Sequence, residues 1–586
     1  MGLALQRGLA AHRAGDLDAA ALEYHEVLAQ SPHDENALQL LGHVAFARRE
    51  FHEAEAHFLQ VLVHTPGDTV ARFNLGKTYE VLGRTDEAEQ TYALIPPGSA
   101  HYLDARMRVG IIQYAERRMD AAAATFEGVL REGPTPSLLA AVNLGIVYNH
   151  LGRFEEGVKL LGAVLEADPK NGDARRALAD SFRFLGLLDA AIAECHLLLD
   201  EDPNDVAATI IIGRALYDRG AFSDAELAFA RAADLAPERH EPRTNLNVFY
   251  HGFGRLDEAI DHGEAAIALA PTDVEAHVNL AVSKLMAGDF SRGWPLFEWR
   301  LRETKQAEAY PYRGRLARWD GLPFSGTLLV ARDQGAGDFI LLSRFFPQLR
   351  SRVGSLTVEC PPELASLYAG FPGIDTLIGG FSELARAAQF DAHIPIGSVP
   401  GALEIDAHHV AASRSYLSAD PERCAAFAER FAHRGVGRKI GIVWGGSPLH
   451  GSDRYRSCGL AAFAPLAHLP GIIWISLQKG PREEEAREAP AGMDLLALGP
   501  EIRDFSDTAA AISALDLIIT VDTSVAHLAG ALGKPVWTLL GFETYWLWGA
   551  QRADTPWYPT MRLFRQHVPD DWTDLFGDVR EALIDR

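Results

Sequence analysis

Cysteine is scarce in this sequence: Cys195, Cys360, Cys424 and Cys458 are the four in 586 residues, and no C-x-x-C pair occurs. Neither a disulfide framework nor a cysteine zinc site is indicated. No apolar run approaches the ~20 residues a membrane-spanning helix needs, and the N-terminus has no signal-peptide apolar core. Positive charge is short too, with 55 Lys and Arg against 79 Asp and Glu and a formal charge of −24. A surface of that sign repels phosphate backbones, which excludes a general nucleic-acid or anionic-membrane binder but leaves room for a local basic pocket. Disorder is excluded by a hydrophobic content of 48% against 23% charged residues. A cytoplasmic protein of several domains, or a repeat array, is expected, since the chain is about four times the commonest domain length.

What the sequence does have is a repeat. Small residues recur at Ala20, Ala54, Ala88, Ala122, Gly157, Ala191, Ala225, Ala259 and Gly293, at steps of 34 with a single 35. A second small column lies twelve residues earlier in each unit, from Gly8 and Gly42 onward, and only Asn247 breaks it. Prolines such as Pro32, Pro66, Pro169, Pro203 and Pro271 close the units at one phase. Small side chains let two helices cross closely, an aromatic such as Phe58 or Tyr92 fills the next layer, and proline stops the second helix. No such pair buries its face alone, so the pairs stack. The pattern resembles nine tetratricopeptide repeats over residues 1–300. In such arrays the position of Asn74, Asn143, Asn245 and Asn279 faces the concave groove, where a carboxamide can pair with the backbone of an extended peptide. The alternative is that these asparagines bond neighbouring turns of the array itself.

After Trp294 and Trp299, expected to cap the last repeat, the period changes. A linker at 301–324 leads to short apolar runs: 327–331, 356–359, 439–444, 472–476, 517–521 and 536–540. Helix-like stretches, 339–350 and 525–532 among them, separate the runs, which indicates parallel α/β sheets. The expected fold is therefore α + α/β. An all-α superhelix precedes two doubly wound lobes, 325–436 and 437–586, with a seam near Arg434–Arg438. Ligands of such sheets bind at the carboxyl ends of strands.

Three strand-end loops carry candidate chemistry. Asp333-Gln-Gly-Ala-Gly-Asp338 joins a strand to a helix, and Asp338 is either a functional carboxylate or a helix cap. Trp444-Gly445-Gly446-Ser447, followed by Arg454 and Arg456, suits a phosphate, because guanidinium engages phosphate oxygens in pairs. In Asp522-Thr523-Ser524-Val-Ala-His527, backbone amides, hydroxyls and an imidazole converge at a helix start. A histidine so placed is otherwise a core residue. The run Thr555–Gln566 has no assignment.

With these motifs the 325–586 segment resembles the heptosyltransferase-type glycosyltransferases of family 9, which have the GT-B fold and invert configuration without a metal. The likeness rests on Gly337-Asp338, the Gly-rich turn at 444–447, and above all Asp522-Thr523, His527-Leu528 and Lys534-Pro535. It departs from the family in having Ala before Gly-Asp, and arginine where a lysine is usual near the phosphate. It implies that Asp338 is the general base and that the 522–527 turn holds the diphosphate of a sugar nucleotide, with a basic residue near Arg456 on phosphate. The lobe at 325–436 would face the acceptor and that at 437–586 the donor, with no cofactor besides the sugar nucleotide. The fusion to repeats resembles bacterial protein glycosyltransferases, among them flagellin glycosyltransferases using a CMP-activated nonulosonic acid. The expected activity is thus protein O-glycosylation at Ser/Thr of an acceptor recruited by the repeats. The alternatives are a non-catalytic scaffold with a degenerate sugar-nucleotide module, and a GT-B enzyme acting on a lipid-linked or free sugar or as a nucleotide-sugar epimerase. This division also implies that a 325–586 fragment, cut free, still binds the donor.

Overall fold

The computed structural model describes residues 2–135, 137–302, 316–379, 390–411, 415–448, 453–569 and 571–585, leaving out the side chains of Ala411 and Arg454. Most of the linker expected at 301–324 lies outside the described residues. The chain forms two compact units, Met1–Ala228 and Phe229–Arg586.

Eighteen helices, from Gly2–Arg13 to Phe290–Phe297, run in sequence through the repeats among the described residues. Their starts follow from the residues after each closing proline: Asp34, Asp68, Asn171, Asp205 and Asp273 cap their helices by accepting an amide three residues on. The small column does what the spacing requires. A Cβ at Gly42 would lie 2.5 Å from the Phe58 ring, and one at Gly76 2.4 Å from Tyr92. Within each pair the turn is left-handed, with glycine at 15, 83, 152, 186, 220, 254 and 288, while Arg49 and Arg117 occupy it at φ 64° and 61°. Asn247, the break in the column, is buried. Its Nδ2 donates to Ala259 O at 2.6 Å and to Ser283 Oγ at 3.1 Å, and Gly263 leaves it room.

The second unit holds two all-parallel sheets. The first comprises β1 (Ala317–Arg318), β2 (Phe324–Ala331), β3 (Val353–Glu359), β4 (Thr376–Ile378) and β5 (Ala392–Pro395), in the order β1-β5-β2-β3-β4. The second comprises β6 (Arg438–Val443), β7 (Ile472–Ser476), β8 (Leu495–Ala497), β9 (Leu517–Val521), β10 (Val536–Leu540) and β11 (Met561–Arg565), in the order β11-β10-β9-β6-β7-β8. Strand order reverses direction at β2 in one sheet and between β6 and β9 in the other, and crevices open at such points. The three loops of interest leave the carboxyl ends of β2, β6 and β9. The helix Pro421–Ala432, expected in the first lobe, packs on Phe505–Ser513 of the second, where Arg423 bonds Asp507 at 2.8 Å.

The packing boundary does not fall at residue 300. One apolar cluster joins Leu285, Phe290, Trp294 and Phe297 of the last repeat to Leu328, Phe339, Trp546 and Trp557. Trp294 is not a solvent-facing cap: it donates to Ile405 O at 3.0 Å and meets Trp546 edge-on at 5.5 Å. Trp299 does stay on its own repeat, stacked on His277 at 3.7 Å.

Candidate active site

The loop after β2 is anchored before it reaches Asp338. The Asp333 side chain is 1% exposed; its Oδ2 accepts from Arg300 Nη2 at 2.7 Å and Nε at 3.2 Å. Its Oδ1 accepts the Gly397 amide at 2.9 Å. Asp338 lies half-buried in the first turn of the helix Ala336–Leu342, whose cap position belongs to Gly335. A helix start favours a charged carboxylate, but burial and the charges of Asp522 and Asp333 outweigh it and push Asp338 up to about 6, against a hydrogen bond to Tyr545.

Opposite stands the turn after β9. Asp522 Oδ2 accepts the Trp548 indole N–H at 2.9 Å; burial raises this carboxyl, while the Trp548 bond and the Arg456 charge act against the rise. Thr523 caps the helix Ser524–Ala531 by accepting the Val525 amide at 3.3 Å, and Ser524 is half-buried at its first position. His527 is 5% exposed, with Nδ1 3.0 Å from the Tyr558 hydroxyl. Burial, then the charges of Arg344 and Arg456, push it down to about 3, so the ring is neutral at physiological pH. The two loops touch: a Cβ at Gly337 would lie 2.9 Å from His527 Cδ2 and 3.6 Å from Ser524 Cα. His527 is thus a packing residue between the lobes as well as a neighbour of the helix start.

The glycines after β6 are tied into their own lobe. The amides of Trp444 and Gly445 donate to Gln478 Oε1 at 3.1 and 3.0 Å, and that of Gly446 to Ser457 Oγ at 3.0 Å. The Gly445 and Gly446 amides are therefore engaged within the fold. Arginine side chains lie on both: a Cβ would fall 2.3 Å from Arg482 Cδ at Gly445, and 2.7 Å from Arg456 Nη2 at Gly446. Buried Asp453 holds both arginines, with Arg482 Nη2 at 3.0 Å and Arg456 Nε at 3.6 Å. At that distance Arg456 Nε has no hydrogen-bond acceptor among the described residues. Ser447 is exposed, and the Arg454 side chain lies outside the described residues.

The structure thus brings Asp338, Asp522, Thr523, Ser524, His527 and Arg456 together. Sequence reasoning missed Arg300, Asp453, Arg482, Tyr545, Trp548 and Tyr558, all of which support that group. Tyr558 comes from the unassigned run Thr555–Gln566, whose end forms β11, and its density of aromatic residues was the available signal. The four groove asparagines are all half-buried, Asn74 and Asn143 in the first unit, Asn245 and Asn279 in the second. Asn143 and Asn245 donate to carbonyls of their own helices, Leu139 O at 2.9 Å and Glu241 O at 2.7 Å. Asn74 Nδ2 lies 3.5 Å from His43 Nε2 of the neighbouring repeat. A separate cavity of about 460 Å³ beside β11, lined by Arg552, Arg562, Arg565 and Glu581, includes none of the site residues.

Known proteins match this architecture in two parts. Tetratricopeptide-repeat families match residues 113–181 and 149–208, and 40–102, 197–240 and 212–274. Glycosyltransferase family 9 (heptosyltransferase) matches residues 471–568, a stretch that contains Asp522–His527 and stops short of Asp338. The chain therefore carries tetratricopeptide repeats followed by a glycosyltransferase family 9 domain. Protein FlbA of Caulobacter vibrioides is 26% identical over 477 residues, covering 76% of this chain and 78% of FlbA. Superkiller complex protein 3 of Mus musculus is 25% identical over 299 residues, 49% of this chain but 19% of that protein. Among solved structures, a tetratricopeptide repeat protein from Parabacteroides merdae is 17% identical with a TM-score of 0.34, over 40% of this chain and 92% of that one. Among the described residues no helix is long and apolar enough to cross a membrane.

Proposed function

We propose that this chain is an inverting glycosyltransferase that moves a sugar from a sugar nucleotide to Ser or Thr of a protein recruited by the repeats. In this reading Asp338 takes the proton of the acceptor hydroxyl as its oxygen attacks the anomeric carbon. The bond from that carbon to the donor phosphate breaks, and the phosphate leaves with the electron pair. Arg456, Thr523, Ser524 and the helix start at Ser524 stabilise the growing charge, with His527 beside them as a neutral imidazole.

The observation that carries the reading is the meeting of two loops from opposite sheets. A carboxyl pushed up to about 6 faces the turn matched by the glycosyltransferase family. A base of that strength is ionised at physiological pH and still accepts a proton readily. The repeats support a protein acceptor, with Asn74, Asn143, Asn245 and Asn279 as candidate backbone contacts. Flagellin is the acceptor we propose first, and a CMP-activated nonulosonic acid the donor, both by the resemblance of the fused architecture.

The test is co-expression of this chain with a flagellin and intact-mass measurement of the flagellin. A mass increment on Ser or Thr that disappears with Asp338→Asn is the expected result. An unmodified flagellin would remove that acceptor, and an increment that survives Asp338→Asn would remove Asp338 as the base.

A further inference from the structure

Arg300 lies on the turn that leaves the last repeat, yet its guanidinium is buried inside the first sheet domain. Besides Asp333 it donates to Ser398 Oγ at 2.9 Å, Phe297 O at 3.0 Å and Glu298 Oε1 at 3.3 Å, and its side chain is 6% exposed. Arg300 lies close over Gly397: a Cβ there would fall 2.7 Å from Arg300 Nη2 and 3.1 Å from Asp333 Oδ2. Asp333, held on one oxygen by Arg300 and on the other by the Gly397 amide, opens the loop that ends at Asp338. Two buried charges in such a pair have lost their hydration, so each depends on the other to stay in place. The other side of the site has a parallel support. Trp294 and Phe290 of the same repeat pack on Trp546 and Trp557, and Trp546 lies two residues before the Trp548 that bonds Asp522.

We infer that Arg300 is a positioning residue that holds the Asp338 loop through Asp333, so that the last repeat is a working part of the transfer site. The inference builds on the reading of Asp338 as base, but its test does not use turnover. Around Asp338 stand Asp333 on its own loop, Asp522 from the β9 turn and Tyr545 from the segment after β10, with Arg456 and neutral His527 beside Asp522. Burial is the largest cause of its raised affinity for a proton. A loop freed from its anchor takes up water and gives up that rise.

The experiment uses the full chain with Arg300→Met, Arg300→Lys and Arg300→Gln. Protonated carboxyl groups are labelled with a carbodiimide and an amine across a pH series, and the label on Asp338 is read by peptide mass spectrometry. Amide hydrogen exchange of 333–342 and 396–403 is measured alongside. Wild type is expected to label with a midpoint near the value of about 6. Arg300→Met is expected to move the midpoint down into the ordinary carboxylate range and to speed exchange in both segments by about tenfold or more, leaving 472–476, remote from the loop, unchanged. Arg300→Lys, which keeps the charge, is expected to restore most of the midpoint. Should Arg300→Met not fold, Arg300→Gln removes the charge and the two-pronged hold on Asp333 with a smaller loss of polarity, and is read the same way.

A midpoint unmoved in Arg300→Met, whatever happens to exchange, would overturn the inference and leave Arg300 as a fold-stabilising residue only. A failure of the base assignment shows elsewhere, as transfer that persists in Asp338→Asn.

Discussion

Replacing Asp338 with asparagine should make the protein more stable and less active at once, and by amounts that depend on pH. The folded structure raises this carboxyl from the ordinary 3.8 to about 6. A raised carboxyl means that the native state binds the proton more tightly than the unfolded chain does. The native state is therefore penalised whenever the group is ionised: the penalty is absent below the unfolded value, grows between about 4 and about 6, and is complete above. Each unit corresponds to about 1.4 kcal/mol, so the full penalty is on the order of 2–3 kcal/mol. Asparagine keeps the shape and an acceptor for Tyr545 without the charge. Asp338→Asn should accordingly gain on the order of 2–3 kcal/mol over wild type at pH 7.5 and almost nothing at pH 4. Denaturant melts of the two proteins at both pH values, followed by tryptophan emission from the second unit, measure the difference. Transfer should fall by ~10²–10⁴-fold, the worth of a general base, with nucleotide affinity unchanged. Equal stability of the two proteins at pH 7.5, or a loss in the variant, would refute the argument, because Asp338 would then be a carboxylate that the fold favours charged.

Three further outcomes follow from the same geometry. Arg456→Ala should weaken binding of the donor nucleotide by roughly 10–100-fold in calorimetry, as one charge-assisted contact is lost, and Asp453→Asn should do so less, by releasing Arg456. His527→Ala should lower stability by about 2–4 kcal/mol in melts, because it removes a buried ring packed between Gly337, Trp548 and Tyr558; a fully stable variant would contradict that packing. A 325–586 fragment should be insoluble or protease-sensitive, since the cut uncovers Trp546 and Trp557 where Phe290 and Trp294 sit, whereas one that keeps Phe229 onward should resist proteolysis.

Much of the fold was legible because its signals are local. The runs at 472–476, 517–521 and 536–540 became β7, β9 and β10 residue for residue, since buried parallel strands are short, apolar and flanked by turns. The 34-residue period located the helix pairs for a similar reason: glycine beneath an aromatic ring is a spacing, and spacing is visible. The site loops were legible as loops, and Asp338, Asp522 and His527 do meet. What supports them was not. Arg300, Trp548 and Tyr558 reach the site from distant parts of the chain, and only the folded sheets place them there. The side chains lying on Gly445 and Gly446 were hidden for a related reason. Glycine that admits a phosphate and glycine that admits an arginine side chain look alike until the neighbour is seen. The change of period near 300 does mark where helices give way to strands, whereas the burial of Phe290 and Trp294 follows a different partition that no period reveals.

Gly337 against His527 gives this molecule a natural gauge. The distance between the two lobes beside Asp338 is set by a carbon atom that is not there, with the ring edge already where a methyl group would have to go. Each heavier side chain at 337 is then a shim of known thickness. Alanine, then valine, should part the lobes in steps, and transfer should decline with the step. Nucleotide affinity should persist, because its proposed contacts belong to the second lobe alone. The spacing of base and leaving group would in this way become an adjustable quantity, read in units of one methyl.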